Sequence, residues 1–117
     1  MSANTRRIVR LMDLNNRPEV LRAYEVAHQR GNTPAAVLSA QRRHGILELE
    51  IYRAGDRLVM IMEVTDDYDP VALDAEGARS PQIAAWHQRM SELQRAPFED
   101  CVAWPEAHLV FRQSEHE

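Results

Sequence analysis

Lysine is missing from this 117-residue chain, in which all 14 basic side chains are arginines. Without a lysine amine, Schiff-base chemistry is excluded. Cysteine occurs once, at Cys101, so no internal disulfide and no C-x-x-C redox or metal motif exists. Glycine is scarce, with 4 residues, and neither G-x-G-x-x-G nor a phosphate-binding loop is found. H-x-H, H-E-x-x-H and the G-x-S-x-G elbow are absent as well. Positive charge is also in short supply. The 18 acidic residues outnumber the basic ones for a formal charge of -4, and adjacent arginines occur only as Arg6-Arg7 and Arg42-Arg43. A nucleic-acid or anionic-membrane surface needs clustered positive charge, so neither partner is expected. No apolar run approaches the roughly 20 residues of a bilayer span. The first thirty residues carry charges throughout instead of an apolar signal core, and the expected location is the cytoplasm.

What is present is a globular composition, 44% hydrophobic and 27% charged, of a length that suits a single domain over residues 1–117. The polar ends, Met1 to Thr5 and Gln113 to Glu117, are expected to fray. Arg6 to Leu14 alternates, with Ile8, Met12 and Leu14 on one face, as in a strand. Asn16 is placed to cap a helix opened by Pro18, in which Leu21, Tyr24 and His28 share a face until Gly31 ends it. Thr33-Pro34 reads as the cap and first residue of a second helix that ends at His44-Gly45. The runs ILELEIYR and RLVMIMEV, separated by Ala54-Gly55-Asp56, have hairpin spacing. In the first, Leu47, Leu49 and Ile51 alternate against Ile46, Glu48, Glu50 and Tyr52. The second is apolar from Leu58 to Met62, which suits a central strand covered on both faces.

Asp66 to Pro70 reads as an acidic loop, and its three aspartates lack the glycine and terminal glutamate of a calcium loop. Ser80-Pro81 opens a further helix with Ile83, Trp86, Met90 and Leu93 in an apolar stripe. His108 to Phe111 is the candidate closing strand. Strand, helix pair, strand, strand, helix, strand is the split β-α-β order, so the expected fold is α+β and ferredoxin-like: a four-stranded antiparallel sheet with helices on one face. The bare face of such a sheet calls for a second copy, making a homodimer.

Tyr24 and His28, at i and i+4, face inward together. A buried histidine is commonly a hydrogen-bonded core residue, and a tryptophan at helical spacing such as Trp86 is commonly core. His87 lies about 100° further around its helix, at the rim of the same space. Glu48 and Glu50 share a strand face with Tyr52, for which solvation is the default account. His28, His87 and His108 have no metal-ligand spacing, so neither metal nor cofactor is expected. Acid-base groups beside aromatic faces are what a sugar site needs.

The order AYEVAH, HGILELEIYR, GDRLVMIMEV, AWHQRM and HLVFR resembles the L-rhamnose mutarotase family with its L-fucose mutarotase relatives, over roughly Ile8 to Phe111. The resemblance implies a dimeric α+β barrel that interconverts the α and β anomers of a 6-deoxy-hexose monosaccharide. It implies that His28 is the proton donor, that Tyr24 binds sugar and that Trp86 lines the pocket. His87 stands where the rhamnose enzymes often have a second tryptophan, and Leu49 where they have a tyrosine. Thr33-Pro34-Ala35 replaces their usual Trp-Pro-Glu. The mechanism expected from this resemblance has His28 protonating the ring oxygen, Tyr24 or Glu50 handling the anomeric hydroxyl, and Trp86 stacking on the sugar. Two other readings fit the same residues: a non-catalytic sugar-binding barrel, which binds without exchanging anomers, and a cofactor-free monooxygenase, which consumes oxygen.

Overall fold

The computed structural model describes residues 4–101 and 104–116. Five strands, β1 (Thr5–Leu14), β2 (Ile46–Ala54), β3 (Arg57–Thr65), β4 (Gln94–Arg95) and β5 (Glu106–Ala107), form one antiparallel sheet in the order β2-β3-β1-β4, with β5 also on β1. Among the described residues four α-helices accompany it: α1 (Pro18–Ala27), α2 (Ala35–Arg43), α3 (Pro70–Arg79) and α4 (Pro81–Leu93). The α+β class and the antiparallel sheet are those expected, with five strands in place of four because two short strands share the edge of β1 where one was anticipated.

Register explains the core. On β1 Ile8, Met12 and Leu14 are buried, and on β3 so are Leu58, Met62 and Val64, because even-numbered residues of both strands pair across the ladder and face the helices. Val20, Tyr24 and Ala27 of α1 and Met90 of α4 close over Met12, Leu14 and Leu58. Val37 and Ala40 of α2 meet Ile83 of α4. Leu14, Leu58 and Val64 are fully buried, each worth about 2 kcal/mol of apolar burial. The other face carries Val9, Leu11, Val59 and Ile61, half-buried and outside the three core clusters. β3 is therefore central but covered on only one face, a correction to the expectation of two covered faces.

One residue changes the reading of β2. Ile46 pairs with Val64, but Glu48 pairs with Glu63, so Leu47 is an extra residue in the ladder. A bulge of this kind offsets the alternation by one. Ile46 accordingly joins Leu49 and Ile51 on the helix side rather than opposing them, and packs with Ile8, Met62 and Val64.

Helix ends also depart from the expected caps. Asn16 does not cap α1; Arg17 occupies that position without a side-chain bond. The helix stops at Ala27, with His28 as its C-cap, before Gly31 is reached. Thr33 does not cap α2 either: its hydroxyl donates back to the Ala27 carbonyl at 3.3 Å, closing an open end of α1 instead, and Pro34 takes the N-cap. Ser80 does cap α4, accepting from the Ile83 amide. Asp66 to Asp69 form the acidic turn, but Pro70 begins α3, a helix that the sequence reading missed. The signal was there: Asp69 accepts from the Ala72 amide at 3.0 Å and Pro70 follows it, the same aspartate-or-serine-then-proline start that identified α4.

His44-Gly45 ends α2 as expected, and Gly45 has φ +100°. A Cβ there would stand 2.6 Å from the Tyr68 Cα, so both conformation and space require glycine. The expected closing strand is misplaced. β5 ends at Ala107, and Leu109, Val110 and Phe111 are 61%, 87% and 65% exposed. β5 pairs with Val9 and Arg10, so the strand lies just before the residues expected, and the run beyond Ala107 leaves the sheet instead of continuing along Ile8 to Thr5. Of the ends expected to fray, residues 1–3 and 117 lie outside the described residues, whereas Thr5 starts β1 and Gln113–His116 form a short 3-10 turn.

Candidate active site

Between the helix-facing side of the sheet and α1, α2 and α4 lies an open cleft of about 1120 Å³. Its floor is apolar, from Leu49 and Ile51 on β2 to Met60 and Met62 on β3, with Arg10 of β1 beside them.

His28 is held by its own helix. As the C-cap of α1 it no longer follows the helical path, and its Nδ1 lies 2.7 Å from the Tyr24 carbonyl, an open acceptor at the end of the helix. A carbonyl only accepts, so Nδ1 carries the proton and donates it. Nε2 is left as the exchangeable nitrogen, with no protein hydrogen bond among the described residues. The Tyr24 ring packs against the imidazole with centroids 4.2 Å apart, and Trp86 meets it edge-on at 5.1 Å and 67°. Sandwiched in this way, the imidazole has a fixed orientation toward the cleft that all three residues line.

Burial lowers the His28 pKa below its ordinary 6.5; the bond to the Tyr24 carbonyl opposes this, and the positive charge of Arg89 adds to it. The ring is therefore neutral at pH 7, with a lone pair on Nε2. Burial pushes the Tyr24 phenol up to about 12, the neighbouring Gln94 side chain drawing it partly back. Tyr24 stays protonated and is a hydrogen-bond donor rather than a base. Around His28 the cleft thus offers a proton acceptor in its Nε2, a neutral donor in Tyr24 and the indoles of Trp86 and Trp104.

Of the site residues named from sequence, Tyr24, His28, Leu49, Trp86 and His87 line the cleft, His87 as an exposed rim residue. Glu50 does not. It pairs with Ile61 on the other face of the sheet, is exposed, and accepts from the Tyr52 hydroxyl at 3.3 Å. The alternation of β2 itself puts it there, so its suggested role at the anomeric hydroxyl is corrected. Arg10, Gln94 and Trp104 were missed. Arg10 has the same parity as Ile8 and Met12, a readable signal, whereas Trp104 sits in an irregular segment with φ +27° that no periodicity describes. His108 is exposed and far along the chain from any partner, and among the described residues no group of three or more His, Cys, Asp or Glu could hold a metal ion.

The profile of the L-rhamnose mutarotase family matches residues 7–113. The chain belongs to that family. It is 39% identical over 114 residues to an L-fucose mutarotase of Xanthomonas campestris, a match that covers 93% of this chain and 89% of the relative. Among solved structures it is similar to an L-rhamnose mutarotase of Formosa agariphila, with a TM-score of 0.65, 16% identity, and 92% and 98% of the two chains covered. Tetracenomycin F2 cyclase of Streptomyces glaucescens, a type-II polyketide cyclase, has a TM-score of 0.61 at 13% identity, with 92% and 95% covered. The two structural likenesses speak to fold, and the cyclase shows that this fold carries other chemistry too. Family membership makes the chain a sugar mutarotase, an isomerase, and does not favour the non-catalytic reading. Where the family usually has tryptophan before the α2 proline, the Thr33 hydroxyl is turned to the end of α1.

Proposed function

We propose that the protein exchanges the α and β anomers of L-fucose or L-rhamnose, with His28 as the proton carrier. One observation carries the proposal: the imidazole has Nδ1 tied to the Tyr24 carbonyl and Nε2 free, between two aromatic rings in a cleft. The similarity to an L-fucose mutarotase supports L-fucose as the first substrate to test.

Ring opening moves one proton and one bond. The anomeric O–H proton leaves to a base as C1=O1 forms, the C1–O5 pair withdraws onto O5, and O5 takes up a proton. O1 and O5 share a carbon, so a single imidazole nitrogen can serve both. Because His28 starts neutral, Nε2 accepts the anomeric proton and the imidazolium then donates to the ring oxygen; closure on the opposite face reverses the steps and restores the neutral ring. The Tyr24 hydroxyl donates to a sugar oxygen throughout, and Trp86 stacks on the apolar face. Saturation-transfer NMR on anomeric mixtures of the two sugars tests this: wild type accelerates exchange, and His28→Ala loses it. Normal acceleration by His28→Ala rules out the assignment.

The same reading includes a homodimer in the cytoplasm. Supporting the dimer are the open sheet face with Val9, Leu11, Val59 and Ile61 and the exposed Leu109, Val110 and Phe111, a patch that a second copy would cover. The single Cys101, free and half-buried, suits a reducing compartment. Light scattering after size-exclusion chromatography gives the mass, and a monomer at micromolar concentration would remove the dimer. Among the described residues no helix is long and apolar enough to cross a membrane.

A further inference from the structure

We propose that Arg10 is a substrate-binding residue whose guanidinium holds two neighbouring hydroxyls of the sugar against the sheet and so selects the stereoisomer. The proposal rests on the mutarotase reading of the same cleft. It begins from a charge in an unusual place. Arg10 lies mid-way along β1, opposite Met60 and between the buried Ile8 and Met12 on the helix-facing side, and it lines the cleft. It is half-buried, and among the described residues no carboxylate lies within 4.0 Å of it. Of the carboxylates lining the cleft, Glu25 is taken by Arg53 at 2.7 Å, while Glu48, Asp74 and the ladder partner Glu106 on β5 lie beyond ion-pair distance of Arg10. Of the five N–H donors of Arg10, one makes a bond among the described residues, from Nη1 to the Trp104 carbonyl at 3.2 Å.

A half-buried guanidinium that makes one side-chain bond among the described residues has further donors open to the cleft, where a ligand can supply oxygens in place of water. A deoxy-hexose supplies them as adjacent hydroxyls, whose spacing suits the planar fork of arginine better than the point charge of lysine. The cis pair of hydroxyls is O3 and O4 in L-fucose but O2 and O3 in L-rhamnose. A fork at a fixed place on the floor, with the anomeric carbon held at His28, therefore favours one sugar over the other. The Trp104 carbonyl steadies the fork from the side, and the Trp104 indole packs onto the same cluster as Tyr24 and Trp86.

A purely structural role is the competing account: Arg10 would merely staple the segment at Trp104, whose φ of +27° is strained. Arg10→Met and Arg10→Lys, measured by thermal unfolding and by exchange kinetics on both sugars, separate the two. Loss of a charged hydrogen-bond pair should raise KM for the preferred sugar about tenfold or more, change kcat by less than about threefold, and bring the kcat/KM ratio of the two sugars toward one. Arg10→Lys should move the same way, since it keeps charge but loses the fork. KM values within about twofold of wild type for both variants overturn the proposal, and so does a lowered unfolding temperature with unaltered KM, the mark of a staple alone. Saturation-transfer difference with methyl α-L-fucoside and methyl α-L-rhamnoside, which cannot mutarotate, reads binding separately from turnover. If wild type shows no exchange, the mutarotase reading fails while weaker glycoside binding by Arg10→Met still supports the role of Arg10; equal binding, or none by either protein, overturns it.

Discussion

The two faces of the sheet are made from alternate residues of the same three strands, and they handle charge in opposite ways. On the open face several polar groups are engaged: Asp13, buried, accepts from Arg57 at 2.8 and 3.2 Å, Glu50 takes the Tyr52 hydroxyl and Glu63 that of Thr5. On the helix-facing side Arg10 has no ion pair within 4.0 Å among the described residues, with Glu106 opposite it on β5, and His28 has one nitrogen without a hydrogen bond among those residues above the same floor. Paired groups satisfy one another and hold the sheet together. Groups left over in a cleft are available to a ligand. The difference is a physical reason, separate from family likeness, to seek the proposed site on the helix-facing side.

The largest effect that would break this contrast is on His28. His28→Ala should slow anomer exchange by about a hundred- to ten-thousandfold, with the helices intact because the C-cap backbone bond to the Glu25 carbonyl remains. Circular dichroism checks the fold and saturation-transfer NMR the rate. Stability gives the next contrast. Leu58, fully buried on the helix side, and Val59, half-buried on the other, are consecutive residues of β3. Leu58→Ala should cost about 3 kcal/mol in urea unfolding, and Val59→Ala about 1 kcal/mol or less if the chain unfolds as a monomer. A Val59→Ala cost that matches the Leu58→Ala cost and depends on protein concentration would show that the open face is buried against a second copy.

Much of this architecture was readable because it depends on short-range rules. The β2–β3 hairpin came from two apolar runs around a glycine turn, and α4 from Ser80-Pro81 and its stripe of Ile83, Trp86, Met90 and Leu93. The Tyr24–His28 pair followed from helical spacing, although His28 reaches its place as a C-cap rather than as a helical residue. What was not readable depends on partners distant in sequence. The bulge at Leu47 is defined only by where Val64 and Glu63 fall on the facing strand. The closing strand is Glu106–Ala107, on Val9 and Arg10, rather than the more apolar His108 to Phe111, and which residues meet a strand about a hundred positions away is not written in the local pattern. Arg10 and Trp104 are 94 residues apart and meet only in the folded chain. α3 was different: its Asp69-Pro70 start was legible, and its weak apolar stripe, interrupted by Gly77, hid it.

A pH profile sharpens the comparison further. The proposed mechanism needs neutral His28, whose pKa lies below 6.5, so kcat/KM should be flat at pH 7 and fall about tenfold per unit only once pH drops through that lowered value. Removing the positive charge with Arg89→Gln should move this acid limb upward toward 6.5. The same shift has a sign for stability: above 6.5 the contribution of the neutral ring is complete, and as pH falls below 6.5 the unfolded chain takes up its proton first, so stability declines until the folded ring protonates as well. An acid limb above 6.5 would mean that His28 is stabilised as imidazolium, and the order of proton transfers would have to be reversed.

The smallest expected effect is the most discriminating between faces. Glu50 was a natural partner for the anomeric hydroxyl by residue type, being a carboxylate one residue from Leu49, which lines the cleft. Strand alternation turns it to the other side, where it faces solvent beside Tyr52. Glu50→Gln should therefore leave kcat and KM within about twofold of wild type and leave the acid limb unmoved. Its carboxamide keeps an oxygen for the Tyr52 hydroxyl, so the sheet is undisturbed. A hundredfold loss of kcat with an unchanged fold would place the carboxylate in contact with the sugar, which in a single chain the register of β2 on β3 forbids. The carboxylate would then have to enter the site of a neighbouring copy, and a one-to-one mixture of Glu50→Gln with His28→Ala would recover activity by pairing one intact residue from each chain.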